Sequence, residues 1–402
     1  MKPVRTRRAA LAATSLAAAL LLAACGGGGS GTADTTPRLS ISSVKVFGDS
    51  IQDSGTFGYK FTVQTPDNLI YAERIAANYG QTLCNFFVFT GTTFAPNSKA
   101  GCTNFAIGGG RITYTGAGGA ANPLNIGTQM ATYASMASFA ASDLVIIDGG
   151  GNDAADLVGA YLKAPFDKAA SYSGLLATLL QPAQIGAALQ GGAATTGAIG
   201  LDYMKALAGK FYGQIKTSVL DKGATHVVLL NMPGITNTPR FQMVLDSIKA
   251  ATAAGAKAQG ASDTVAAAAG AKARDDAEAL FKSWISAFNA ELASKVGADD
   301  RVVQVDFYSA FNDQVAMPAQ FGLSNVKTPA CPVVGVGSDG LPTYDFPSCT
   351  GTALSAAPQA GASGGADWWK SYAFSDGFHP TPYGHQLTQQ LIAKALAVRG
   401  WL

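Results

Sequence analysis

Few residues of this chain have the types and spacing for covalent chemistry. Ser50 follows the apolar run Val44-Lys45-Val46-Phe47 and the pair Gly48-Asp49. That grammar suits a buried strand ending in a tight turn, with glycine supplying backbone freedom and the hydroxyl left at the strand's carboxyl edge. In open α/β sheets that edge is where ligands bind. A serine placed there acts as a nucleophile only with a base, an acid to orient the base, and donors for a developing oxyanion. Three further stretches hold such groups. Asn104-Phe105-Ala106-Ile107-Gly108-Gly109-Gly110 lets a backbone N–H approach a ligand closely, and Asp148-Gly149-Gly150-Gly151-Asn152-Asp153 brings a side-chain amide to a strand end. Asp376-Gly377-Phe378-His379-Pro380-Thr381 sets an acid three residues before a histidine, so that one turn lets the carboxylate reach its own imidazole.

By residue type alone each group has a plainer reading: Ser50 a helix cap, Asn152 a turn residue, the glycines turn formers. The chain has three histidines. His226 opens an apolar strand, where a satisfied core imidazole is the default. His385 starts the last helix, as a cap, a support for the site, or a rival base. Asp49, Asp53 and Asp153 are expected to brace the turns through nearby backbone N–H groups.

The elements that must position these residues follow from periodicity. Short apolar runs predict buried strands at Val44 to Phe47, Thr103 to Ile107, Leu144 to Ile147, His226 to Leu230 and Val302 to Phe307. Helical stripes occur at Leu69 to Tyr79, at Leu280, Trp284, Phe288 and Leu292, and from about Gly384 to Arg399, with Gly400 as the stop. Strands alternating with helices predict a parallel sheet covered on both faces. The Ala-rich insertion 250–273 reads as an exposed helical hairpin or a mobile segment. The stretch 327–365 is rich in Pro, Gly and Ser, and a disulfide loop would keep it folded. Phe86-Phe87-Val88-Phe89 reads as core packing or a pocket wall. Trp368-Trp369 walls an acyl pocket or packs the disulfide loop.

The four blocks together resemble a GDSL-type hydrolase of the SGNH superfamily: Phe47 to Gly55, Asn104 to Gly110, Gly150 to Asp153, and Asp376 to Thr381, in the family's order over residues 44 to 385. Isoleucine stands at position 51 where the family usually has leucine, and the Ala-rich insertion is unusual for it. The resemblance implies an α/β three-layer sandwich around a flavodoxin-like parallel sheet of about five strands. It also implies Ser50 as nucleophile, His379 as base and Asp376 as its orienting acid, with the Ser50 N–H, the Gly109 N–H and the Asn152 amide as oxyanion donors. No metal or organic cofactor is implied.

Composition agrees with an export route. The 402 residues are 48% apolar with a net charge of +2, enough for a large core and without the electrostatic footprint of a nucleic-acid binder. Lys2, Arg5, Arg7 and Arg8 precede the uncharged run Ala9 to Ala24, which reads as an export signal. Its end, Leu22-Ala23-Ala24-Cys25, resembles the lipobox of bacterial lipoproteins, implying cleavage before Cys25 and lipidation of that residue. Residues 25–40 would then be a tether and 41–402 the hydrolase domain. Gly26 resembles outer-membrane sorting in a Gram-negative cell, with a periplasmic or secreted protein as the alternative. The remaining cysteines, Cys84, Cys102, Cys331 and Cys349, form two local pairs, and loop-closure entropy favours the short-range pairing. A zinc site is the weaker reading, since no CxxC spacing occurs. The chain thus reads as a monomeric, membrane-tethered hydrolase of a small-molecule, lipid or polymeric ester. An acyltransferase using the same acyl-enzyme and a surface binding lipoprotein are the alternatives.

Overall fold

The computed structural model describes residues 39–402. The expected signal at 1–24, Cys25 and nearly all of the expected tether lie outside the described residues. The path runs through β1 (Ser43–Phe47), α1 (Tyr71–Asn78), an antiparallel pair β2 (Phe87–Phe89) and β3 (Phe94–Pro96), α2 (Ile126–Met136) and β4 (Asp143–Ile147). Four helices follow: α3 (Gly151–Lys163), α4 (Ala170–Leu176), α5 (Pro182–Gln190) and α6 (Ala193–Ser218). The chain continues through β5 (Val227–Leu230), α7 (Pro239–Ala258), α8 (Asp263–Val296), β6 (Val302–Val305) and α9 (Phe307–Ala316). A two-residue pair, β7 (Gly335–Val336) and β8 (Pro342–Thr343), leads to α10 (Gly351–Ala356) and α11 (Pro382–Arg399).

The central sheet has the order β1-β4-β5-β6, with every pair parallel. Both faces are covered. Phe47, Val145, Ile147, Val227 and Leu229 pack toward a core shared with α2, α3, α6 and α8, whereas Val44, Val46, Leu144, Ile146 and Val228 face α1 and α11. The period of two along each strand sends alternate side chains into two separate cores, so these strands read as continuous apolar runs.

Thr103 to Ile107 is not a strand, contrary to the sequence reading. It lies beside β1 through one parallel bridge, Val46 to Asn104, with Val46 N donating to Thr103 O at 3.1 Å and Phe105 N to Val46 O at 2.8 Å. The Asn104 side chain bends the backbone out of register: its amide donates to Gln52 O, and its carbonyl accepts from Ala106 N at 3.0 Å. Four strands therefore form the sheet, and this segment occupies the outer position that a fifth would take in the flavodoxin-like order. The switch point of that order lies between β1 and β4, the strands that lead into Ser50 and Asn152.

The Ala-rich insertion 250–273 forms the end of α7, the turn and the start of α8, the tip of a helical hairpin. Its small residues let two helices approach closely, since a Cβ on Gly270 would lie 2.5 Å from Lys249 O. Cys84 is bonded to Cys102 and Cys331 to Cys349, which leaves no free cysteine among the described residues and marks an oxidising, extracytoplasmic compartment. Among the described residues no helix is long and apolar enough to cross a membrane. Trp368 and Trp369 are buried with Cys331, Cys349 and Leu354, and their ring N–H groups donate to Leu354 O and Ser355 Oγ. They pack the disulfide loop and are not among the residues that line the cavity at Ser50. Phe86 stacks on Phe105 and Phe87 meets the same ring edge-on, so these two residues of the aromatic run are core packing.

Candidate active site

β1 delivers the chain to Gly48, and the turn after it depends on there being no side chain at that position. A Cβ on Gly48 would lie 1.9 Å from Asp148 Oδ1, the first residue beyond β4. Asp148 holds the turn from that side, accepting from Asp49 N at 3.2 Å and from the Tyr71 hydroxyl at 2.7 Å. From the other side Gln129 on α2 clamps the glycine, accepting from Gly48 N at 2.9 Å and donating to Gly48 O at 3.0 Å. Ser50 is left almost buried at the mouth of a cavity of about 110 Å³.

The last loop supplies the histidine. Pro382 at the first helical position and the Thr381 hydroxyl, which accepts from Gly384 N at 3.1 Å, start α11 and so end the loop just past His379. His379 Nε2 lies 2.7 Å from Ser50 Oγ, and Nδ1 lies 2.9 Å from both carboxylate oxygens of Asp376. With the carboxylate ionised, Nδ1 carries the ring proton and Nε2 accepts from the serine hydroxyl. Burial opposes ionisation of Asp376. The charge and ring N–H of His379, with the backbone N–H groups of Phe378 (2.8 Å) and His379 (2.6 Å), outweigh it and hold the carboxyl below its ordinary range. Phe61 and Phe346 flank the imidazole, with ring centroids at 5.1 and 5.5 Å. Phe346 comes from the Cys331–Cys349 loop, whose Cys331 N donates to Ser375 O at 2.8 Å.

The glycine block and α3 meet the site from the far side. Gly109 has φ +80°, a left-handed conformation natural to glycine. Arg111 donates to Gly109 O at 2.6 Å while ion-paired to Asp156 on α3. Asp153 accepts from Ile112 N and Thr113 N, each at 2.9 Å, and Asp53 accepts from Gly108 N at 2.7 Å. Asp49 accepts from Ile51 N at 3.2 Å, so all three acids brace turns. Burial pushes Asp49 well up, with the Asp148 carboxyl adding to the effect, and burial brings Asp148 up to about 6. Asn152 lines the cavity beside Ser50 and His379. Its amide donates to Gly110 O at 2.9 Å and makes a long 3.5 Å contact to Asp49 Oδ2. Gly109 lies outside the cavity lining, but neither its N–H nor that of Ser50 donates to a protein acceptor among the described residues.

The three histidines separate cleanly. His226 meets the Trp401 ring edge-on at 4.8 Å, with Nδ1 3.0 Å from Thr225 Oγ1. His385 lies in the first turn of α11 with its side chain fully buried, and neither ring nitrogen has a hydrogen bond among the described residues. Burial lowers its pKa to about 3 and keeps it neutral. It neither caps the helix nor reaches Ser50. Sequence reading did not single out Gln129, Tyr71, Arg111 or Phe346. Gln129 alone left a signal, as a polar residue on the buried Ile126, Met130 and Tyr133 face of α2.

A search of curated proteins finds no match. The sequence profile of the GDSL-like lipases and acylhydrolases matches residues 44–392, a span that runs from β1 into α11 and holds every group brought together around Ser50. The chain belongs to that family of the SGNH superfamily.

Proposed function

We propose that residues 41–402 form an exported serine ester hydrolase, tethered by a lipidated Cys25 at the outer membrane, with Ser50 as nucleophile. The observation that carries the reading is the 2.7 Å approach of Ser50 Oγ to an imidazole already oriented by Asp376. As Oγ bonds to the acyl carbon, its proton passes to His379 Nε2 and the carbonyl electrons move onto oxygen. The N–H groups of Ser50 and Gly109 and the amide of Asn152 would stabilise that oxyanion. The long Asn152 contact to Asp49 is the one the amide gives up to do so. Asp376 stabilises the imidazolium, which then protonates the leaving alkoxide as the ester C–O bond breaks. Water attacks the acyl-enzyme with His379 again taking the proton, and collapse restores Ser50 and releases the acid.

A fluorophosphonate probe tests it. Wild-type protein is expected to label and Ser50→Ala to stay unlabelled. No labelling of the wild type, or equal labelling of both, overturns the hydrolase reading. Product analysis with a competing alcohol then measures how the acyl group divides between water and acceptor.

A further inference from the structure

The cavity at Ser50 is apolar and small, walled by Ile51, Pro233, Ile235, Phe307 and Phe311. One wall, Phe378, also lines a second cavity of about 290 Å³ between α3 and α7. Along α3 the residues facing this path follow helical spacing. Asn152 stands at Ser50, and Ala155, Gly159 and Leu162 continue the same stripe. At about 1.5 Å per residue, the ten steps from Asn152 to Leu162 carry this stripe roughly 15 Å along the helix, from the Ser50 cavity to the second one. The opposite side is formed by Phe241 and Val244 of α7. Phe241 meets the Phe378 ring at 5.9 Å, and Arg240 N donates to Gly377 O at 3.0 Å, so the groove wall and the His379 loop are one piece.

The outer end of the second cavity is exposed. Phe166 lines it while 88% exposed, and the turn behind it holds Lys168 and Ala169 at φ +53° and +61°. Non-glycine residues there cost about 1 to 2 kcal/mol each, a strain that persists where surrounding structure enforces it. The charged residues of the lining are the exposed Lys163 at the end of α3 and Arg240, which is ion-paired with Asp339.

We propose that the α3–α7 groove is a second subsite, which takes the long unbranched hydrocarbon leg of an ester whose carbonyl lies at Ser50. The small cavity would hold the short leg, and Phe378 would be the sill between the two. This rests on the hydrolase reading for the position of the carbonyl, but the groove's affinity for a hydrocarbon chain does not depend on catalysis. An added Cβ at Gly159 meets nothing within 4 Å, so Gly159→Trp fills the groove without forcing the helix, and Gly159→Ala controls for folding.

Two ester series separate the acyl from the alcohol leg: one of rising acyl length on a common phenol, one of acetates of rising alcohol length. In wild type, kcat/KM is expected to rise by up to about fourfold per added methylene along one series, which corresponds to the ~0.8 kcal/mol of a buried CH₂. In Gly159→Trp that series is expected to be flat, with the shortest ester unchanged and Gly159→Ala like wild type. A naturally fluorescent polyene fatty acid, titrated into Ser50→Ala, is expected to bind at least tenfold more weakly once Gly159→Trp is added. If no ester is cleaved yet that loss of binding is seen, the hydrolase reading fails and the groove stands. An unchanged chain-length profile and unchanged probe binding in Gly159→Trp overturn the groove.

Discussion

Gly48→Ala offers a sharp test of how Ser50 is positioned, because one methyl group must displace a carboxylate that two other groups hold. The new Cβ would lie 1.9 Å from Asp148 Oδ1 and 2.9 Å from Gln52 Nε2. The φ of Gly48 is not in the left-handed region, so backbone strain adds nothing and the cost is steric. Moving Asp148 breaks its bonds from the Tyr71 hydroxyl and Asp49 N. At about 1.5 kcal/mol or more for each hydrogen bond to a charged acceptor, the variant loses on the order of 3 kcal/mol, and the Ser50 turn shifts with Asp49. The assay pairs denaturant unfolding with the rate of fluorophosphonate labelling. Asp148→Ala removes the obstruction at the price of an unpaired Tyr71 hydroxyl. In that background Gly48→Ala is expected to cost less than about 0.5 kcal/mol, giving a coupling of about 2 kcal/mol or more in a double-mutant cycle. Additive effects, or a single variant as stable and as quickly labelled as wild type, would refute the clamp.

Two further outcomes follow from groups around the site. Burial pushes Asp153 up to about 6 against two backbone N–H bonds, so between pH 3.8 and 6 the folded chain keeps a proton the unfolded chain has lost. That contribution to stability is complete below about pH 3.8 and gone above about 6. At 1.36 kcal/mol per unit it amounts to about 3 kcal/mol. Unfolding of wild type against Asp153→Asn at pH 4 and pH 7 should therefore show wild type losing ground by roughly that amount, and parallel pH profiles would contradict it. Asp376, held low, acts in the opposite sense, and its contribution fades only as pH falls below about 3.8. Opening either disulfide loop removes a closure of equal separation, 18 positions, worth about 3 kcal/mol in chain entropy. Thermal melts should fall similarly for the Cys84→Ser/Cys102→Ser and Cys331→Ser/Cys349→Ser pairs. Labelling of Ser50 should slow more in the second, because that loop carries Phe346 onto the His379 ring. Equal labelling rates would detach the loop from the site.

What the sequence made legible was local. The apolar runs of β1, β4, β5 and β6 announce themselves because a strand buried on both faces has few polar positions. Gly48 and Gly149, which follow β1 and β4, mark where side chains would collide, Gly400 was readable as the stop of the last helix, and the Ala-rich segment was read as either a helical hairpin or a mobile segment. Thr103 to Ile107 misled because its composition is that of a strand, while Asn104 spends its side chain on neighbouring backbone instead of leaving the ladder intact. The roles of Gln129, Tyr71 and Arg111 depend on partners 81, 77 and 45 positions away, and no local pattern encodes such a meeting. Phe346 was hidden likewise, as an aromatic in a segment without periodicity.

Ser50 and His379 stand 329 positions apart. Their contact depends on the packing of α11 against α1 and β6, which brings the last helix of the described residues onto the first. Long-range closures of this kind are entropically costly and slow, and they come after the local helices have formed. Until that moment Ser50 is an ordinary hydroxyl with no base in reach. On the proposed hydrolase reading, a nascent or half-folded chain is expected to be chemically silent, so the onset of fluorophosphonate labelling would serve as a clock for the completion of folding.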